Sequence, residues 1–338
     1  MAASASAQNA MTSSPYSMFG LGEMASGLYG QNTSMAGVTV GMREGMLMNI
    51  ENPAGLTALD SCKLFAEASA FVKNERYRSD GSSSNAFTGN FSAFSLGGRI
   101  MRRWYMSAGV TPYSFVGYYF KSSQELEGSP GTFVTSTFSG TGGLSKAFLS
   151  QGFSLTKHLS VGMNLNFIFG NMTQNEIQSA MTVSREMSGR SFYADFGLQY
   201  HRPIARETFL TVGAIYGYKQ RISLKNTVTV TGSSTETPYN QKRVTQYLPQ
   251  YIGIGSSLAH KKWTYALDYL FRQYGVLNSS DSRVKFRDSH ELRLGVCYFP
   301  NGFSSSSYWK RMSYKAGVSV STPYLRLKGQ SGGAYRVS

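Results

Sequence analysis

The stretch Ser160-Val161-Gly162-Met163-Asn164-Leu165-Asn166-Phe167 decides how this chain is built. Val161, Met163, Leu165, Phe167 and then Phe169 share one side, while Ser160, Gly162, Asn164 and Asn166 share the other. Side chains alternate across a strand with a period of two, so this is a strand with one apolar and one polar face. The pattern recurs. Trp263, Tyr265, Leu267, Tyr269 and Phe271 oppose Thr264, Ala266, Asp268 and Arg272, while Met312, Tyr314, Ala316, Val318 and Val320 oppose Ser313, Lys315, Gly317 and Ser319. Phe192, Ala194, Phe196, Leu198 and Tyr200 likewise oppose Asp195, Gly197 and Gln199.

These strands sit in a repeat. Basic turns begin at Arg102-Arg103, Lys157-His158, Arg206, Lys261-Lys262 and Lys310-Arg311, separated by 55, 49, 55 and 49 residues. Propeller blades also repeat near this length, but their strands are shorter than these. Each repeat therefore reads as a pair of long antiparallel strands. Polar stretches lie between the basic turns, at Lys121 to Gly131, Ser184 to Arg190, Thr231 to Lys242 and Gly275 to Lys285, and are expected to be long loops. Tight turns on one side and long loops on the other is the asymmetry of an outer-membrane barrel. Strands are expected near 63–77, 86–101, 104–121, 132–156, 159–180, 190–201, 207–228, 243–259, 262–275, 285–299 and 309–327, with a further one starting at 334.

Composition agrees. Of 338 residues, 15% are charged, 14% are aromatic and 36 are Gly, which suits strands and turns better than helices. Mean hydropathy is −0.24, and no run approaches the roughly 20 apolar residues of a spanning helix. A barrel spreads its apolar residues one in two, so neither fact speaks against a membrane wall. Cys62 and Cys297 are too far apart in sequence to suggest a metal motif, and two cysteines make no disulfide framework.

The net charge is +15, and basic residues are placed at five separate turns instead of in one run. That scatter lacks the continuous patch that tracking a phosphate backbone requires, so no nucleic acid is expected. On the periplasmic side such turns would meet anionic outer-membrane lipid headgroups, with Trp104, Trp263 and Trp309 as an interfacial girdle. The small residues of Ala2 to Ala7 read as the remnant of a signal peptide over residues 1–8, which implies export to the outer membrane of a Gram-negative cell.

Residues 9–60 show no alternation and are rich in Gly and Met. A segment too polar to span and adaptable enough to fill an irregular space is expected inside the barrel of residues 61–338, as a plug. Its Ser14-Pro15-Tyr16-Ser17-Met18-Phe19-Gly20-Leu21-Gly22, Ser34-Met35-Ala36-Gly37 and Asn52-Pro53-Ala54-Gly55-Leu56 resemble the N-terminal hatch of the FadL/TodX family of outer-membrane transporters. Thr111-Pro112-Tyr113-Ser114-Phe115-Val116-Gly117-Tyr118 and Gly140 to Lys146 resemble wall motifs of a divergent branch. The resemblance implies an all-β, transmembrane antiparallel β-barrel of the 14-stranded type, with about 11 or 12 strands in this chain and the last ones missing. It implies a hatch motif at Asn52, Pro53 and Ala54, and transport of hydrophobic compounds such as long-chain fatty acids. Exit would be lateral, through a kink in the third wall strand. Pro112 lacks an N–H for the ladder and Gly109 and Gly117 flank it, so a bulge is expected there.

On the polar faces Glu67, Asp195, Asp268, Arg272, Glu291, Arg293 and Lys315 are expected to point inward, as a network tying plug to wall. No catalytic residue, metal site or cofactor is expected. His158-Leu159-Ser160 has the His-x-Ser spacing of outer-membrane phospholipase but no adjacent Asn to orient the His, and His158, His201, His260 and His290 lie on separate segments. Besides lipids, lipopolysaccharide and a hydrophobic solute, a protein partner at the outer loops is the rival expectation. The barrel would then be a non-transporting docking or accessory subunit of a secretion system.

Overall fold

The computed structural model describes residues 14–25, 30–60, 64–79, 82–125, 128, 131–179, 181–232, 236–277, 284–300, 308–327 and 334–338. Cys62 lies outside them. A two-residue strand β1 (Glu23–Met24) precedes the wall strands β2 (Leu64–Ser79), β3 (Ser82–Met101), β4 (Trp104–Glu125), β5 (Phe133–Ser154), β6 (Leu159–Gln178) and β7 (Met181–Ala205). Then follow β8 (Thr208–Gly217), β9 (Gln220–Thr231), β10 (Glu236–Leu248), β11 (Tyr251–His260), β12 (Trp263–Arg272), β13 (Val284–Phe286), β14 (Ser289–Tyr298), β15 (Tyr314–Ser321), β16 (Leu325–Leu327) and β17 (Ala334–Val337). One sheet runs in the order β17-β15-β14-β12-β11-β8-β7-β6-β5-β4-β3-β2, with β1, β9 and β10 attached to it. Neighbours in sequence are mostly neighbours in the sheet, which is the up-and-down order that hairpins generate. Among the described residues no pairing joins β2 to β17.

The tight basic turns fall where the spacing puts them, at Arg102-Arg103, Arg206-Glu207 and Lys261-Lys262. Other boundaries differ. The expected strand 207–228 is β8 and β9, interrupted at Tyr218-Lys219, and the expected strand 243–259 is β10 and β11, interrupted at Pro249-Gln250. The interruptions lie side by side, because β8 pairs with β11 and β9 with β10. Pro249 has no N–H to continue the ladder. The expected strand 285–299 is likewise β13 and β14, and the expected 309–327 begins only at Tyr314 because Tyr308–Arg311 forms one helical turn. β13 and β16 pair apart from the main sheet.

Ser184 to Arg190 is not a loop. It is paired strand on both sides, with β6 across Asn175–Phe169 and with β9 across Thr229–Ser223. Ser, Arg and Glu side chains with Met187 between them extend a ladder as readily as they make a loop, so polarity there marks projection beyond the apolar band rather than irregular chain.

Burial is inverted relative to a soluble sheet. Phe192, Phe196, Leu198 and Tyr200 on β7 are exposed, while the polar Ser191, Asp195 and Gln199 between them are buried. The same holds on β12, where Tyr265, Leu267 and Tyr269 are exposed and Asp268 is buried, and on β14 and β15. Among the described residues no second sheet covers the apolar face, so its natural solvent is lipid. On β7 the outward Phe192 to Tyr200 are bounded by exposed Arg190 and Arg202. At ~3.3 Å per residue and a tilt near 45°, those two arginines are roughly 28 Å apart in height, close to the ~25 Å apolar band of barrel walls. Near the tight turns Trp263 lies 4.5 Å from Tyr298 and stacks on Tyr265, and Trp309 is exposed. Trp104 is half-buried, stacked on Phe153. Among the described residues no helix is long and apolar enough to cross a membrane, which says nothing of strands.

The sheet curls around residues 35–59. Met48 Sδ accepts from Ser95 of β3, whereas Glu51 pairs with Arg293 of β14. Those strands are eight positions apart in the sheet order, about 38 Å if the sheet were flat, yet Met48 and Glu51 are three residues apart. Only a strongly curved sheet brings both within reach.

Candidate functional site

Residues 14–25 and 30–59 pack on the concave face, and their seat is made by what the wall lacks. A Cβ on Gly213 of β8 would lie 2.0 Å from the Val40 carbonyl oxygen, and one on Gly162 of β6 would lie 2.4 Å from Ala54 N. Gly152 on β5 and Gly197 on β7 meet Pro53 and Asn52 in the same way, and Gly317 on β15 meets Met35. The wall glycines that read as strand fillers in the sequence are positions where one backbone lies directly on another. No alternation rule singles them out.

Asn52, Pro53 and Ala54 lie at the centre of this seat. Asn52 caps the short helix Pro53–Ala58 by accepting from Ala54 N at 3.2 Å, and Pro53 takes the first helical position. The Asn52 amide also donates to Val40 O at 2.7 Å and to Leu198 O of β7 at 3.3 Å. One side chain thus fixes a helix start, a neighbouring loop and the wall.

Beside it lies an ionic node. Arg293, fully buried, donates to Glu291 through Nε (2.8 Å) and Nη2 (3.0 Å), and through Nη1 to Glu51 (3.0 Å) and Gly37 O (2.6 Å). Arg272 pairs with Glu291 at 2.7 Å and Glu51 at 3.4 Å. Asp268, the cross-strand partner of Arg293, accepts the N–H groups of Thr39 (2.6 Å), Val40 (2.8 Å) and Gly41 (3.3 Å). The structure therefore brings Asp268, Arg272, Glu291 and Arg293 together, and adds Glu51, which lies in the non-alternating segment where no pattern marked it.

Asp195 and Glu67 stand apart from that node. Asp195 accepts from Asn164 (2.5 Å) and Asn166 (2.7 Å) of β6, and Glu67 lies on β2 beside Gly30.

Burial alone would raise the Glu51 carboxyl, but Arg293 and Arg272 outweigh it, and with a hydrogen bond from Thr39 they hold it below its ordinary value of 4.5. A carboxylate depressed on folding adds stability that is fully present above its unfolded value and is lost as pH falls through the folded one. Glu51→Gln is therefore expected to flatten the decline of urea-unfolding stability between neutral pH and about pH 3.

The outward half of the concave face is apolar. Leu144, Ile168, Met172, Tyr193, Ile222, Leu224 and Leu248 form one buried cluster with Leu21, Val116 and Tyr274. Along β6 the inward residues change from Asn164 and Asn166 to Ile168 and Met172, so the interior changes character halfway up the wall. At the boundary lies a cavity of about 100 Å³ lined by Met24, Pro112, Tyr113, Lys146, Tyr251 and Arg272 among others.

Pro112 also marks a break in the wall. β3 pairs with β4 only from Met101–Trp104 up to Phe94–Val110. Above that point β3 continues paired with β2 alone, Ser92 being skipped in their register, and β4 continues paired with β5, Tyr113 being skipped. The edge that β4 loses is taken by the N-terminal segment: β1 pairs with Ser114 and Phe115, Ala25 N donates to Tyr113 O, and the Ser17 hydroxyl bonds both Gly117 N and Gly117 O. Gly109 sits just below, where a Cβ would lie 2.1 Å from Phe94 O. The Glu23 side chain reaches across to Lys73 of β2 at 3.8 Å, and Phe71 meets Phe115 edge-on. Among the described residues no cluster of metal-ligating side chains is present.

Solved structures share this architecture. The Pseudomonas putida toluene transporter TodX matches with TM-score 0.58 at 15% identity, over 89% of this chain and 84% of that one. The Ralstonia pickettii toluene transporter TbuX gives 0.55 at 13% identity over 89% of each chain, and the monoaromatic hydrocarbon channel CymD gives 0.52 at 14% over 92% and 89%. At such identity the likeness is one of fold, and it agrees with the FadL/TodX resemblance in the sequence. A search of curated proteins finds no match. The family model that does match, described as BamG, covers residues 1–335, and the chain therefore belongs to the BamG family.

Proposed function

We propose that the protein is an outer-membrane channel for hydrophobic compounds such as long-chain fatty acids, with residues 14–59 as its hatch and the β3–β4 break as a lateral exit. The observation that carries this reading is the end of the β3–β4 ladder at Phe94–Val110, directly beside an apolar interior. The fold neighbours are named as toluene transporters and a monoaromatic hydrocarbon channel, which supports the same class of cargo. An apolar solute in the chamber would pass into the lipid through the wall without crossing water. The cavity of about 100 Å³ is well below the roughly 300 Å³ at which pockets for drug-sized ligands begin, so cargo must displace Met24, Tyr113 or their neighbours.

Uptake of a labelled fatty acid by cells making the full-length protein tests this. Deleting Tyr113, which restores the β4 register, is expected to reduce uptake at least tenfold while the barrel still folds. Uptake by the unaltered protein no greater than in barrel-free cells would overturn transport. The rival reading, a docking or accessory subunit of a secretion system, is favoured by the small cavity and would then stand.

A further inference from the structure

We propose that the outward face of β7 and β9, just above the aromatic band, binds the headgroup of a phosphate-bearing lipid; this rests on reading the sheet as a membrane wall. On β7 the outward row ends Phe196, Ala194, Phe192, Arg190, and on β9 Ile222 and Leu224 are buried, so Arg221, Ser223 and Lys225 face outward. The register pairs Arg190 with Ser223 and Ser188 with Lys225. Arg190 is therefore diagonal to both Arg221 and Lys225, at the ~7–8 Å typical of such neighbours, and the three cations surround the Ser223 hydroxyl. Arg221 is held in place by donating to Thr245 Oγ1 at 3.0 Å.

All three cations are exposed, and among the described residues none lies within 4 Å of a carboxylate. Among the described side chains of β7 and β9, Glu186 is the one acidic group on this face, one pair beyond Lys225. Beside Arg190 lies its β6 partner Phe169, which stacks on Phe167, the partner of Phe192, and Phe192 lies just below Arg190 on β7. The face thus offers a cation cluster with two guanidinium forks above an aromatic floor. That order suits phosphoryl oxygens at headgroup level with acyl chains along the phenylalanines. The basic residues at the tight turns also have aromatic neighbours, but they are divided among separate turns rather than gathered on one face.

The probes are lipid A, lipid A stripped of its phosphates, and inorganic phosphate, each added to the purified full-length protein in bilayer nanodiscs and read by native mass spectrometry. The protein is expected to retain lipid A at least tenfold more than the stripped form. The triple variant R190Q/R221Q/K225Q is expected to lose that preference, and R102Q/R103Q at a tight turn to keep it. All variants must show the heat-modifiable migration of a folded barrel. Equal retention by the triple variant, or of stripped lipid A, would overturn the site. Inorganic phosphate binding as tightly as lipid A would overturn its assignment to a lipid. Failure of the unaltered protein to enter bilayers would instead remove the wall reading, and the site with it.

Discussion

Gly213→Leu is expected to dislodge residues 36–57 from the wall. The new Cβ would lie 2.0 Å from the Val40 carbonyl oxygen and 2.8 Å from its carbonyl carbon, both backbone atoms, and 3.0 Å from the Asn52 side-chain amide nitrogen. Val40 O accepts from both Asn52 and Gln199, so moving it breaks two hydrogen bonds that tie the segment to itself and to β7. Overpacking of this kind costs about 1–3 kcal/mol, and each buried polar group left unpaired costs ~1–3 kcal/mol more. The wall itself would survive, because β8 keeps its ladders with β7 and β11. In planar bilayers the unaltered protein is expected to pass little ion current, whereas the variant should give steps at least tenfold larger and a new protease cut near Arg43. An unchanged current together with an intact segment would show that residues 14–59 do not plug the barrel.

Arg293→Met is expected to have the largest effect on folding. Met matches much of the side chain's bulk but leaves Glu51 and Glu291 facing each other with only Arg272 between them. Removing one partner of a buried ion cluster costs about 3–5 kcal/mol, because the remaining charges stay buried without compensation. Gly37 O would lose its donor as well. Urea unfolding in vesicles should show the loss, and the double change Arg293→Met with Glu51→Gln should recover part of it by removing one stranded charge. If the double variant were no more stable than the single one, the coupling between Glu51 and Arg293 would be negligible and the node would not tie segment to wall.

Much of the wall is legible because one physical rule governs it. Lipid outside and a polar interior force alternation, and Phe192 to Tyr200 on β7 or Trp263 to Phe271 on β12 display it over nine residues. The sequence reading stumbled where the rule is suspended. Ser184 to Arg190 looks like a loop because most of its side chains are polar, yet the ladder continues. The chamber was hidden for the opposite reason. Phe167-Ile168-Phe169, Phe192-Tyr193-Ala194 and Tyr269-Leu270-Phe271 are runs in which both faces are apolar, and such runs mark where the interior itself becomes apolar. Such runs are a signal that the alternation rule by itself does not use.

The amino-acid sequence by itself determined the class of fold, the sidedness of most strands and the basic turns. Those properties depend on side-chain period and on local turn chemistry, which act within a dozen residues. The curl of the sheet, the glycine seat, the meeting of Glu51 with Arg272 and Arg293, and the substitution of β1 for β3 beside β4 were decided only by the tertiary structure. Each depends on which distant backbone arrives at a given strand, and a glycine that admits another chain is identical in sequence to one that merely fills a turn.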